Sequence, residues 1–288
     1  MNITLVTPSY RPDLERCNQL VESVGEHVSG LDQHILLIDD EDMAVFKHLA
    51  GEGVSLIRKE DILPSWVSRM RWHQGWWWSK KTLPVRGWIM QQVAKLGIAE
   101  HLDTDVIVFA DSDVSFVRPF DAGSLVRDSG SGEPQVRLYR DERKPHFYQN
   151  RRYRNWYRFA ARALGLGNPD ALSGAYIAQM VSWDRHSVID MHRHIEQHTG
   201  LCWQAAVMRS LDFSEYVLYG AYVENVAAES RRHFFDPSLI CHSSWYHDIK
   251  DQASLERYLE SIGNEHCAVH IQSNLGFDLK DYTIPASL

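Results

Sequence analysis

Val106-Ile107-Val108-Phe109-Ala110-Asp111-Ser112-Asp113 is the stretch on which the reading of this chain turns. Five apolar residues in a row, with no polar alternation, suit a strand covered on both faces, as in a parallel sheet. Two carboxylates one residue apart follow directly. Upstream, residues 3–7 form a similar run ending at Pro8-Ser9-Tyr10, and residues 34–38 form another ending at Asp39-Asp40-Glu41-Asp42. A third short strand is predicted around Leu56-Ile57. Between these runs the period changes to that of a helix. Pro12 and Asp13 open a helix with Leu14, Cys17, Val21 and Val24 on one face, and Pro84 opens another carrying Val85, Trp88, Ile89, Val93 and Leu96, with Gly97 placed to stop it. Strand and helix in alternation predict an α/β fold, a Rossmann-like, mostly parallel central sheet flanked by helices. Ligands of such sheets lie beyond the carboxyl ends of the strands. Three such ends converge here: Thr7 to Tyr10, Asp39 to Asp42, and Asp111 to Asp113.

The second half has a different texture. Residues 128–134 (D-S-G-S-G-E-P) read as a flexible loop. Residues 151–164 form an amphipathic helix, with Arg151, Arg152, Arg154, Arg158 and Arg162 set against Tyr153, Trp156, Tyr157 and Leu164. A strand near 176–181, a helix over 184–198, a helix over 255–262 and a strand over 268–272 follow. The 288 residues, 44% hydrophobic and 24% charged, suit a single domain over 1–288, divided into a 1–120 half and a 121–288 half. A net charge of -8 argues against a general grip on nucleic acid. The apolar opening meets Pro8 too soon for a signal peptide, and no apolar run approaches the roughly 20 residues of a bilayer span. The four cysteines lack any C-x-x-C spacing, which points to a reducing cytoplasm.

The pair Asp111 and Asp113 can share a divalent cation. Hard carboxylate oxygens suit Mg2+ or Mn2+, and both ions accept phosphate oxygens alongside protein ligands. The bland alternative is a capped turn, since D-x-D alone is common.

With these strand ends, the sequence resembles a glycosyltransferase of the GT-A fold. The resemblance rests on Val6-Thr7-Pro8-Ser9-Tyr10, Asp39-Asp40, the helix bearing Gly87-Trp88, Gln91-Gln92 and Lys95-Leu96, and Asp111-Ser112-Asp113. Asp212-Phe213-Ser214-Glu215-Tyr216 with Leu218-Tyr219-Gly220, and Cys241-His242-Ser243-Ser244-Trp245, resemble a bacterial family of uncharacterised sugar transferases. The resemblance implies a nucleotide-sugar donor, a UDP-sugar by default, bound in the 1–120 half by Thr7, Pro8, Ser9, Tyr10, Asp39, Asp40 and Ser112. It also implies a metal on Asp111 and Asp113, and a glycan or lipid-linked acceptor held by the 121–288 half.

An inverting transfer needs a base at the acceptor hydroxyl. Glu215 is the first candidate and Asp212 the second; three residues apart, they also fit an N-terminal capping box. A later histidine often completes such a metal shell, with His242 as the first choice and His270 as its competitor, against the bland reading of a satisfied structural histidine. Trp76, Trp77 and Trp78 can stack on a sugar or base or fill the core, and Lys80 beside them can meet the diphosphate. The basic face of 151–164 can take an anionic acceptor, touch the inner face of a membrane, or simply be solvated. Rival classes are an aspartate-based phosphatase, a sugar-nucleotidyltransferase and a non-catalytic sugar-binding module. The first lacks its later Gly-Asp-x-x-x-Asp, the second its glycine-rich loop after the first strand, and the third has no need of paired aspartates. The oligomeric state is not legible.

Overall fold

The computed structural model describes residues 1–70, 72–73, 75–130, 134–142, 150–227, 232–247 and 249–272. Its centre is a five-stranded sheet made of β1 (Ile3–Ser9), β2 (Gln33–Ile38), β3 (Val54–Arg58), β7 (Val106–Ala110) and β10 (Met180–Asp184), in the order β10-β7-β1-β2-β3. Four of the strands are parallel, and β10 alone runs antiparallel, with Met180 opposite Ala110. The apolar runs lack alternation because both faces are covered. Ile35, Leu37, Ile107 and Phe109 enter one core, while Val106, Val108 and Ala110 face a second and Leu36 and Ile38 a third. The first core is closed by α2 (Gly87–Gly97), α3 (Arg151–Ala163), α4 (Arg185–Thr199) and α6 (Glu215–Asn225), and the opposite face by α1 (Leu14–His27).

Between β3 and α2 a small antiparallel sheet of β4 (Val67–Arg69), β5 (Trp76–Ser79) and β6 (Val85–Arg86) stands beside the strand tips. A second small sheet joins β8 (Val114–Phe116), β12 (Cys241–Ser243) and β13 (Ala268–His270). Further elements are β9 (Pro134–Tyr139) parallel to β11 (His233–Asp236), α5 (Trp203–Met208) and α7 (Gln252–Glu260).

Two local expectations need correction and one a refinement. Pro84 does not open α2: Val85 and Arg86 pair with β5 first, and the helix starts at Gly87. The α-helix does end at Gly97, but not through a left-handed glycine cap: Gly97 has φ -68 and the chain continues into a 3-10 turn over Ile98–Glu100. Gly97 is there for packing, because a Cβ would meet Ile62 Cγ2 at 3.0 Å. The strand expected at 176–181 is shifted to Met180–Asp184, where it can pair with β7 along its whole length. The turn at 128–134 joins two strand ends that pair, Asp128 opposite Pro134, with residues 131–133 outside the described part.

Gly220 also has a packing reason. The Tyr176 ring lies across it so closely that a Cβ would fall 2.2 Å from Tyr176 Cγ, and the Tyr176 hydroxyl donates to Glu224 one turn further along α6. Overpacking a fully buried ring forces off-rotamer side chains or a backbone shift. Gly220→Ala is therefore expected to cost about 2–3 kcal/mol despite alanine's better helix propensity. A urea melt with an unchanged midpoint would refute this.

Candidate functional site

The carboxyl ends of β1, β2, β3 and β7 open into one cleft of ≈ 1440 Å3. Pro8, Ser9 and Tyr10 line it from β1, Asp39 and Asp40 from β2, Lys59 and Glu60 from the turn after β3, and Asp111, Ser112 and Asp113 from the turn after β7. Trp76 and Trp77 of β5 and Met90 and Gln91 of α2 close one side. Among the described residues, every one that lines the cleft precedes Val114. Its wall, among the described residues, carries eight carboxylates (Asp13, Asp39, Asp40, Glu41, Asp42, Glu60, Asp111, Asp113) against three cations, Arg11, Lys59 and Arg69.

Asp111, Ser112 and Asp113 form the turn between the central sheet and the second small sheet, closed by the Val114 N–H donating to the Asp111 carbonyl at 3.1 Å. β8 then pairs antiparallel with β13, which sets His270 opposite Val114. His270 Nε2 lies 3.3 Å from Asp113 Oδ2, its Nδ1 lies 3.2 Å from Ser243 Oγ, and the Ile271 N–H donates to the Asp113 carbonyl. The imidazole is thus oriented by a hydroxyl on one nitrogen and faces a carboxylate with the other. Metal-ligating histidines are typically held in this way. His242 is not part of this pair. It sits one residue before Ser243 on β12, so strand alternation turns it to the opposite face, where it stacks on Tyr258 at 4.7 Å and its Nε2 lies 3.0 Å from Ser261 Oγ. Of the two histidines weighed from the sequence, His270 reaches the aspartates.

Asp111 faces the cleft at 37% side-chain exposure and is tethered from behind. Lys95 of α2, only 3% exposed, donates to Asp111 Oδ1 at 2.8 Å and to the Tyr216 hydroxyl at 2.8 Å, and lies 3.5 Å from Glu215 Oε1. Burial alone acts to lower the Lys95 pKa, but Asp111, Tyr216 and Glu215 outweigh it and hold the ammonium well above its ordinary value. Burial pushes the Glu215 carboxyl up, with Lys95 opposing. Glu215 is 5% exposed and is not among the residues that line the cleft. Asp212 does not line the cleft either; its Oδ1 accepts from Trp156 Nε1 at 2.7 Å and Arg152 Nε at 3.3 Å. The capping-box alternative is also not realised, because Ser214 is the N-cap of α6.

On the other wall, Asp39 is bound by both Lys59 and Arg69, and Arg69 reaches on to Glu41 at 2.7 Å and Glu60 at 3.1 Å while lying over the Trp77 ring at 4.9 Å. Burial would raise the Asp39 pKa, yet the two cations bring it below the ordinary value. The Asp40 N–H donates to Glu60 at 2.8 Å. Thr7 is fully buried inside β1 with its hydroxyl 2.9 Å from His34 Nε2, so it is a strand residue and not a cleft residue. Lys80 is exposed outside the cleft. The three tryptophans divide: Trp76 and Trp77 line the cleft, Trp77 also fills the core, and Trp78 is exposed.

The site fits a hard cation with an open shell. Asp13 has its pKa raised first by burial and then by the charge of Asp113, a sign of carboxylates crowded together. Among the described residues no three His, Cys, Asp or Glu side chains are grouped to enclose a metal. Of the ligands expected from the sequence, Asp113 stands beside His270, Asp111 has its Oδ1 taken by Lys95 at 2.8 Å, and His242 faces away. The protein would supply Asp113 and His270 and leave the rest to water and substrate oxygens, as Mg2+ and Mn2+ sites do. Arg69 was not singled out from the sequence, and Lys95 and Ser243 stood only within resembling motifs, with no role assigned. Lys95 left a signal: it interrupts the buried face of Ile89, Met90, Val93 and Leu96, and a lysine in that setting requires a buried carboxylate nearby.

A family model described as a family of unknown function (DUF6492) matches residues 1–283. No curated protein matches the sequence. Among solved structures, the apo structure of WbbM, a bifunctional glycosyltransferase, matches 93% of this chain at 13% identity with a TM-score of 0.50. This chain spans 45% of that one, and the likeness is one of fold.

Proposed function

We propose that this chain, which belongs to the DUF6492 family of unknown function, transfers a sugar from a nucleoside-diphosphate donor to a hydroxyl of a glycan, lipid-linked or small-molecule acceptor. The observation that carries the proposal is the Asp113–His270 pair, two residues far apart in the sequence that meet beside the tip of β7, with Asp113 on the wall of the cleft. The fold shared with a glycosyltransferase supports it, and the GT-A assignment is part of the proposal. A Mg2+ or Mn2+ ion held there supplies the positive charge that a departing nucleoside diphosphate needs. Asp111, fixed by Lys95, keeps one oxygen for a donor hydroxyl. Pro8, Ser9 and Tyr10 flank the nucleotide, and the Trp76 ring offers it an apolar face. UDP is the default nucleotide by resemblance alone. An inverting outcome remains the reading adopted, with no base role for Glu215 or Asp212.

The charge of the cleft gives the test. With eight carboxylates against three cations among the described residues of its wall, a nucleoside diphosphate is expected to be repelled until a cation is present. UDP, GDP and dTDP are each expected to leave the melting temperature unchanged in EDTA. With Mn2+, one of them at about a hundredfold above its Kd is expected to raise it by about 5 °C. An equal shift with and without the metal would overturn the assignment.

A further inference from the structure

Residues 62–99 contain six Lys or Arg and no Asp or Glu, although an even spread of the chain's 38 acidic residues would place about five there. The same segment holds six of the ten tryptophans. In a chain of net charge -8 this is a local reversal of sign coupled to aromatic enrichment.

Arg71 lies outside the described residues, and the fold divides the other five cations into two groups. Arg69 and Lys95 turn inward to the cleft carboxylates. Lys80, Lys81 and Arg86 are exposed, and among the described residues no carboxylate pairs with them; Lys81 lies over the Trp66 ring at 5.0 Å and Arg86 over Trp76 at 5.7 Å. Beside them stand Trp72 at 93% exposure, Leu83 at 76% and Trp78 at 57%. The surface continues onto α3. Trp88 stacks against Trp156, Arg152 lies over Trp88 at 4.6 Å, and Asp212, which accepts from Arg152, is preceded by the exposed Leu211. Arg151 and Arg154 lie exposed on the same first turn of α3.

We propose that this surface, the β4–β6 hairpins together with the start of α3, docks the protein on a bilayer containing anionic phospholipid. Exposed indole rings and an exposed aliphatic side chain, flanked by lysines that pair with no carboxylate among the described residues, match the two layers of such an interface: apolar tips at the acyl boundary and cations at the phosphates. Leu83 and Leu211 favour lipid over a soluble glycan, since an aliphatic side chain offers no ring face to a sugar. Trp76 belongs both to the hairpin sheet and to the cleft wall, so docking would set the cleft beside the membrane surface. The inference does not rest on the donor chemistry.

The test is sedimentation of the full chain with vesicles of phosphatidylcholine alone or mixed with phosphatidylglycerol. Binding is expected only to the mixed vesicles. It is expected to disappear as salt rises from about 0.1 M to about 1 M, where the screening length falls from about 10 Å to about 3 Å. Lys80→Glu with Lys81→Glu is expected to weaken binding at least roughly tenfold, given roughly fivefold per basic residue at such a surface. Trp72→Ser with Leu83→Ser should weaken it comparably, while Phe235→Ser, an exposed apolar residue elsewhere, should not. Quenching of the wild-type tryptophan emission by brominated lipid tests the same contact without any substitution. No sedimentation of the wild type with the mixed vesicles, equal binding to both vesicles, or equal weakening by Phe235→Ser would overturn the proposal. So would loss, in the same variants, of binding to a soluble anionic glycan with vesicle binding retained.

Discussion

Asp113→Asn and His270→Asn are each expected to reduce turnover by about a thousandfold or more, through loss of several kcal/mol of charge stabilisation at the leaving diphosphate. The two residues stand 3.3 Å apart on different segments of the chain, close to the spacing of about 3 Å for two adjacent ligands each about 2.1 Å from one ion. Either substitution leaves a single protein ligand, so the cation should be lost along with the rate. Calorimetric titration with Mn2+ reads that loss directly. Asp113 lies at the cleft and its replacement should barely alter folding. His270 is buried against Ser243, so asparagine is the smaller perturbation and its melting temperature must be measured alongside. His242→Asn serves as the control: it changes a stack on Tyr258 and should leave the rate within a factor of about two or three, as substitutions away from the reacting groups generally do. Turnover within tenfold of wild type in His270→Asn, with folding intact, would sink the assignment of that histidine.

The contrast between His242 and His270 also marks where the sequence stops being informative. Each follows an apolar run, Leu239-Ile240-Cys241 or Ala268-Val269, and nothing local says which of them faces the aspartates. What separates them is the register of β12 on β13 and of β13 on β8, pairings between residues far apart in sequence. The setting of Glu215 is illegible for a related reason. Its spacing from Asp212 is a local signal, but its environment is decided by Lys95, on a helix more than a hundred residues earlier. The central sheet was legible because burial on both faces writes itself into consecutive residues.

The end of β1 was misjudged through Pro8, which removes a backbone donor and so reads as the end of a strand. The strand in fact runs to Ser9. Pairing with β7 stops at Val6, opposite Phe109, while pairing with β2 continues to Ser9 opposite Ile38. Beyond Val6, β1 is an edge on one side and Pro8 forfeits no ladder bond there. The same parting of β1 from β7 opens the crevice in which Ser9, Tyr10 and the Asp111–Asp113 turn meet, at the point where the strand order reverses direction. The residue that obscured the strand boundary marks the mouth of the site.

Lys95→Met is expected to be the most destabilising single change in the site, by about 3–5 kcal/mol, because it leaves the buried Glu215 without its counter-charge and frees Asp111. Stability and chemistry can be separated by a second change. In Lys95→Met with Glu215→Gln the buried carboxylate is gone, so much of the lost stability should return, but Asp111 still lacks its tether and turnover should stay low. Glu215→Gln alone retains Lys95, Asp111 and Tyr216 and should keep kcat within about threefold of wild type, while a lost charge-assisted contact costs about 1–3 kcal/mol. A catalytic base would give the reverse pattern: kcat would fall by about a hundredfold or more with KM and stability nearly unchanged. Urea melts and steady-state rates on the three proteins therefore decide whether the Asp212–Tyr216 segment acts on the acceptor or anchors Lys95 beneath Asp111. The burial of Glu215 and the 2.8 Å contacts of Lys95 to Asp111 and Tyr216 favour the anchor.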